Sequence, residues 1–77
     1  MKALTEEVLA ARRLPPPAVA KAVRQEAGVS QVRLALELGC ARGTVARWEL
    51  GTRRPRGDMR RRYMELLEGL QREVLGS

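Results

Sequence analysis

The chain has 77 residues, room for one small domain and not for a catalytic domain with a separate substrate domain. It has no histidine and one cysteine, Cys40, which excludes an intramolecular disulfide and an ordinary zinc site; no metal or cofactor is expected. Its net charge is +6, with all but two of the cations arginine, and residues 42–62 alone carry that excess (Arg42, Arg47, Arg53, Arg54, Arg56, Arg60, Arg61 and Arg62 against Glu49 and Asp58), which favours a polyanionic partner.

The apolar spacing is helical throughout, because Val, Ile and Thr never alternate over a strand-length run while Ala, Leu, Arg and Glu dominate. A first helix is expected from Thr5, an N-cap followed by Glu6 and Glu7, with Leu4 and Leu9 as a hydrophobic staple. Leu14 and the three prolines after it stop that helix. Pro17 then starts a second helix over about residues 17–27, with Val19, Val23 and Ala27 on its inner face and Gly28 at its end. A third, residues 30–38, has Ser30 as N-cap, Val29 and Leu34 as a staple, and Gly39 as its stop. The fourth covers residues 41–50, with Val45 and Trp48 inward and Gly51 closing it. Residues 52–57 form a basic loop around Pro55. The last helix starts at Asp58 as N-cap; Met59, Tyr63, Leu66 and Leu70 are expected to seal the core, leaving Leu67, Val74 and Leu75 without obvious cover.

The expected fold is therefore all-α, a five-helix bundle with an accessory N-terminal helix over residues 1–14, a core domain over 15–70 and a helix end or tail over 71–77. The third and fourth helices, joined through Gly39 by a short turn, have helix-turn-helix spacing. Ala35 is small where the two helices must cross, and Gly39 can take the positive backbone angle of the turn. With Val45 and Trp48 anchoring the inner side of the fourth helix, Arg42, Gly43, Ala46 and Arg47 face outward.

The series Ser30-Gln31, Leu34-Ala35, Leu38-Gly39, Thr44-Val45, Trp48-Glu49, Gly51 and Arg54-Pro55, preceded by Arg24 to Val29, resembles the Cro/repressor-type, lambda-repressor-like helix-turn-helix domain of phage and bacterial regulators over about residues 18–70. The resemblance implies a compact helical bundle with residues 41–49 as the recognition helix. It also implies that Gln31 caps the first motif helix and touches a phosphate, that Arg42, Gly43 and Arg47 face base edges, and that Arg24 and Glu49 form an internal ion pair. Two positions depart from the pattern. Ala41 replaces the usual hydroxyl cap at a cost of about 1 kcal/mol, and Gly43 costs about another within the helix.

The chemistry of these side chains points the same way. An arginine can present two donors to O6 and N7 of guanine, worth about 1–3 kcal/mol of discrimination. Arg42 and Arg47 are the expected base readers, with Gly43, Thr44 and Ala46 on the same face. Thr44 offers a methyl to thymine or a hydroxyl to phosphate, or serves only to start the helix. Ser30, Gln31, Arg53, Arg54, Arg56, Arg60 and Arg61 are the expected phosphate contacts, which add affinity without sequence information. Arg60 to Arg62 fan around their helix, so at most two face DNA; the third is solvated or pairs with Glu65 or Glu68. Cys40 reads as a small apolar residue at the turn.

The expected function is a sequence-specific regulator of double-stranded DNA, a repressor acting as a homodimer on a two-fold operator. Alternatives from other classes are the antitoxin of a toxin–antitoxin pair and an excision or DNA-bending factor. An enzyme is not expected, since no histidine, phosphate-cradling glycine loop or carboxylate pair with a nucleophile is present. Neither a signal peptide nor a membrane span is expected, which places the chain in the cytoplasm. With Trp48 and Tyr63 its only aromatic residues, a base-stacking platform for single strands is disfavoured.

Overall fold

The structure is a computed structural model, and it describes residues 13–76. Four helices follow one another: α1 (Pro17–Glu26), α2 (Gln31–Leu38), α3 (Arg42–Leu50) and α4 (Gly57–Gly76). No strand occurs among the described residues. The helix expected from Thr5, with its Leu4–Leu9 staple, lies outside them, and residues 13–16 are irregular.

Local signals account for most of the boundaries. Proline occupies the first position of α1, where its missing amide is no loss. At α2 the Ser30 hydroxyl accepts from the Arg33 amide at 3.0 Å, the N-cap bond that satisfies one otherwise unpaired donor. Gly39 ends α2 at φ +71°. There the Cys40 amide reaches back to the Ala35 carbonyl at 3.0 Å and the Gly39 amide to Leu36 at 3.2 Å, the double closure that favours glycine. The same closure ends α3 at Gly51, with Thr52 N–H donating to the Arg47 carbonyl at 3.1 Å. Ala41, at the N-cap of α3, makes no side-chain cap bond. The last helix begins at Gly57, so Asp58 lies inside its first turn rather than at the cap, and its carboxylate accepts from Arg61 instead.

The core is small: Ala20, Leu34, Ala35, Leu38, Val45, Trp48, Tyr63 and Leu67 are buried, with Leu14, Val23, Val29, Cys40, Met59, Leu66 and Leu70 packed against them. Trp48 and Tyr63 meet with ring centroids 4.7 Å apart and planes tilted by 37°, a contact worth about 0.5–1.5 kcal/mol beyond its area. Two expected faces are corrected. On α1 the buried line runs through Ala20 and Arg24, whereas Val19 is 48 % exposed; small Ala20 and the ion-pairing Arg24 turn towards the bundle, and Val23 and Ala27 are half-buried. On α4 Leu67 is 2 % exposed and so fully in the core. This helix packs against both α1 and α2, which widens its apolar stripe to take in Leu67 next to Leu66. Leu75 remains 80 % exposed.

Candidate nucleic-acid interface

The helix-turn-helix unit is α2, the Gly39–Cys40 turn and α3. Val45 (0 % exposed), Trp48 and Glu49 hold α3 from its inner side. The opposite arc carries Arg42 and Arg47, both exposed, with Gly43, Thr44 and Ala46 half-exposed between them. The five expected base-facing positions are thus brought to one surface of one helix. At Gly43 an added Cβ would meet the Arg47 Nη1 at 3.6 Å, an ordinary contact, so the glycine is not enforced by packing in the free protein. It keeps the backbone bare between the two arginines.

A hydrogen-bonded chain links this surface to the interior. Arg24 of α1 donates from Nε to Glu49 Oε2 at 2.6 Å and from Nη2 to Oε1 at 2.9 Å. Its third nitrogen donates to the Val29 carbonyl at 2.8 Å, bracing the end of the α1–α2 turn. Gln31 Nε2 donates to Glu49 Oε1 at 2.9 Å, and its Oε1 accepts from Arg42 Nη1 at 3.2 Å. Burial pushes the Glu49 carboxyl up, but the hydrogen bonds from Arg24 and Gln31 outweigh it and hold the group below the usual carboxylate range. Donating to Glu49 raises Arg24 in turn, against the opposing effect of its burial. Both side chains are nearly inaccessible, at 9 % and 2 %. The bidentate fork is the strong form of this contact.

Gln31 differs here from the role the resemblance implied. The cap of α2 is Ser30, while Gln31 is the first helical residue and bridges Glu49 to Arg42. It therefore orients one of the outward arginines. No local pattern reveals that bridge, because its three partners lie 7 to 18 positions apart along the chain and meet only after α3 crosses α2.

The loop after α3 is fixed by Pro55, which is buried, and by Thr52, whose hydroxyl donates to the Arg47 carbonyl at 3.3 Å. Arg53, Arg54 and Arg56 are exposed on it, and Arg60 stands beside Arg53 and Arg54 from the first turns of α4. Arg61 pairs within its own helix, the alternative expected for one of Arg60 to Arg62. Its guanidinium is held by Asp58 at 2.5 Å and Glu65 at 3.0 Å on the same helix, so its charge is compensated where it stands. Arg62 turns towards α2, 3.4 Å from the Glu37 carbonyl. Arg13, which no motif singled out, joins Arg53, Arg54 and Arg60 around one cleft. Cys40 is half-buried at the turn, and burial pushes its thiol up.

Among the described residues no helix is long and apolar enough to cross a membrane, and no cluster of three metal-ligating side chains occurs. The helix-turn-helix family matches residues 21–74, a span that begins in α1 and takes in both motif helices, the arginine loop and most of α4. No curated protein and no solved structure gives a significant match.

Proposed function

We propose a function from one premise: the chain belongs to the helix-turn-helix family of Cro/XRE type, and is a DNA-binding transcriptional regulator. The finer reading is a repressor that lays α3 in the major groove of an operator and blocks the promoter it overlaps. The observation that carries it is the two-sidedness of α3, which buries Val45, Trp48 and Glu49 and leaves Arg42 and Arg47 on a bare outer arc. Arg42 and Arg47 read guanines, Thr44 and Ala46 offer methyl groups to the groove, and Gly43 lets the helix approach closely. Ser30, Gln31, Arg53, Arg54, Arg56 and Arg60 hold the phosphates. The Ser30 hydroxyl, whose oxygen caps α2, still has its proton to donate.

A module of this size gains affinity by binding as a homodimer, with half-sites about 34 Å apart. Val19 and Leu75, both exposed, flank an apolar groove between α1 and the end of α4 that supports a partner subunit on this side.

Selection from random duplexes followed by a mutant pair tests the assignment. Arg47→Ala removes preference at one operator position, by about 1–3 kcal/mol, and leaves nonspecific affinity nearly intact. Arg53→Ala weakens all duplexes alike and lowers the salt slope by about one. Identical behaviour of the two variants, or equal affinity for every duplex, refutes the reading.

A further inference from the structure

One cleft brings together parts of the chain that are far apart in sequence. Its walls are largely apolar: Leu14 and Pro15 to Pro17 form the accessible side, over a floor of the buried Trp48, Pro55 and Tyr63. Its volume is about 410 Å3, within the range of about 300–1,000 Å3 that holds small organic ligands. Four guanidinium groups, Arg13, Arg53, Arg54 and Arg60, stand around it and no acidic residue lines it. None of the four forms an ion pair with a described residue. Such a site combines apolar surface with cations that no described residue pairs.

That combination selects its ligand class. The predominantly apolar walls suit a ring, which can lie against Leu14 and the prolines. The rim suits an anionic head, and a carboxylate matches the arginine fork with two parallel hydrogen bonds. A polyphosphate has too little apolar surface to use the walls, and a neutral ring leaves the cations unanswered. We propose that this cleft binds a small aromatic carboxylate, its ring on the wall of Leu14 and the prolines and its carboxylate on Arg54 and Arg60. Arg54 and Arg60 also belong to the proposed phosphate contacts, so an occupied cleft withdraws cations from DNA and lowers operator affinity. This regulatory consequence rests on the DNA reading above; the site itself does not.

Trp48 is the only tryptophan, so its emission reports the cleft directly. The probe is 4-phenylbutyrate, titrated into the full chain beside its neutral analogue 4-phenylbutanol. The expected result is a saturable one-to-one change in the millimolar range or tighter. The alcohol, and an Arg54→Gln/Arg60→Gln variant of unchanged melting temperature, bind about tenfold more weakly. Absence of saturation, equal binding of the alcohol, or an unaltered titration in that variant overturns the site. Duplex binding is then measured with the probe at saturation against sodium chloride of equal ionic strength. A fall of threefold or more in affinity beyond the salt control is expected, and an unchanged affinity overturns the regulation. A chain that binds no duplex at all refutes the proposed function, while the emission titration still decides the site.

Discussion

Replacing Arg24 by methionine tests how α3 is tied to the bundle. The wild-type pair consists of two side chains exposed by only 9 % and 2 %, joined by two hydrogen bonds of 2.6 and 2.9 Å. Methionine keeps much of the volume but leaves the Glu49 carboxylate with Gln31 alone and removes the donor to the Val29 carbonyl. Breaking one side of a buried pair costs about 3–5 kcal/mol, because the surviving charge is uncompensated. Against a total stability of about 4–12 kcal/mol for a chain of this length, that is a large fraction. At about 4–8 °C per kcal/mol for a domain of this size, the melting temperature falls by roughly 12 °C or more.

The pH dependence separates this mechanism from simple loss of packing. In the wild type the Glu49 carboxyl is held below its ordinary range. Its contribution is therefore complete above the unfolded carboxylate pKa and is lost as pH falls through the lower folded value. In Arg24→Met, burial dominates and pushes the carboxyl up, so the folded variant takes up a proton more readily than the unfolded chain. Its deficit should be largest near neutrality and shrink as the solution is acidified towards about pH 4. Adding Glu49→Gln to Arg24→Met removes the stranded charge and should recover part of the loss at neutral pH. Thermal unfolding followed by circular dichroism across that pH range measures all three proteins. An unchanged melting temperature at neutral pH, or a deficit that neither acid nor Glu49→Gln relieves, would refute the reasoning.

Tyr63 carries a buried hydroxyl without a hydrogen-bond partner among the described residues, so Tyr63→Phe should unfold at the same temperature or higher, since no bond is lost and an unsatisfied group is removed. Burial, helped by the charge of Glu49, pushes this phenol up to about 12. Because burial penalises the phenolate, the folded chain keeps its full stability below the unfolded value near 10 and loses up to about 2–3 kcal/mol as pH rises from there through 12. Phenolate absorbance of this sole tyrosine should rise near pH 12 in the folded chain and near 10 after urea unfolding; one common midpoint would contradict it. Gly43→Ala should raise stability by about 0.5–1 kcal/mol in urea melts through helix propensity, since its Cβ meets only the Arg47 side chain at 3.6 Å. Gly39→Ala should cost about 1–2 kcal/mol although nothing lies within 4 Å of the added atom, because the strain is in the backbone at φ +71°. Equal melts for these two glycine variants would contradict the distinction.

Local chemistry decides much of this molecule, and that part is legible residue by residue. Pro17, Ser30, Gly39 and Gly51 act through their own backbone angles or side-chain bonds within a few positions, so the edges of α1, α2 and α3 follow from spacing. The inward pair Val45 and Trp48 and the outward pair Arg42 and Arg47 follow from helical periodicity, which needs only one helix at a time. Periodicity is weaker where a helix touches two neighbours. Leu67 looked surplus beside Leu66 because one apolar stripe suffices against one partner, yet α4 packs on both α1 and α2 and buries it. Val19 looked inward because it is apolar, yet the orientation of α1 is set by Arg24 reaching Glu49 across the bundle.

Long-range juxtaposition is the remainder, and no stretch of residues encodes it alone. The bridge from Glu49 through Gln31 to Arg42 and the cleft where Arg13 meets Arg53, Arg54 and Arg60 depend on angles between helices. Those angles are chosen by the fit of the whole core. Short-range bond geometry makes helices and turns readable from composition and spacing, while directions across the bundle emerge only once every buried side chain competes for the same space.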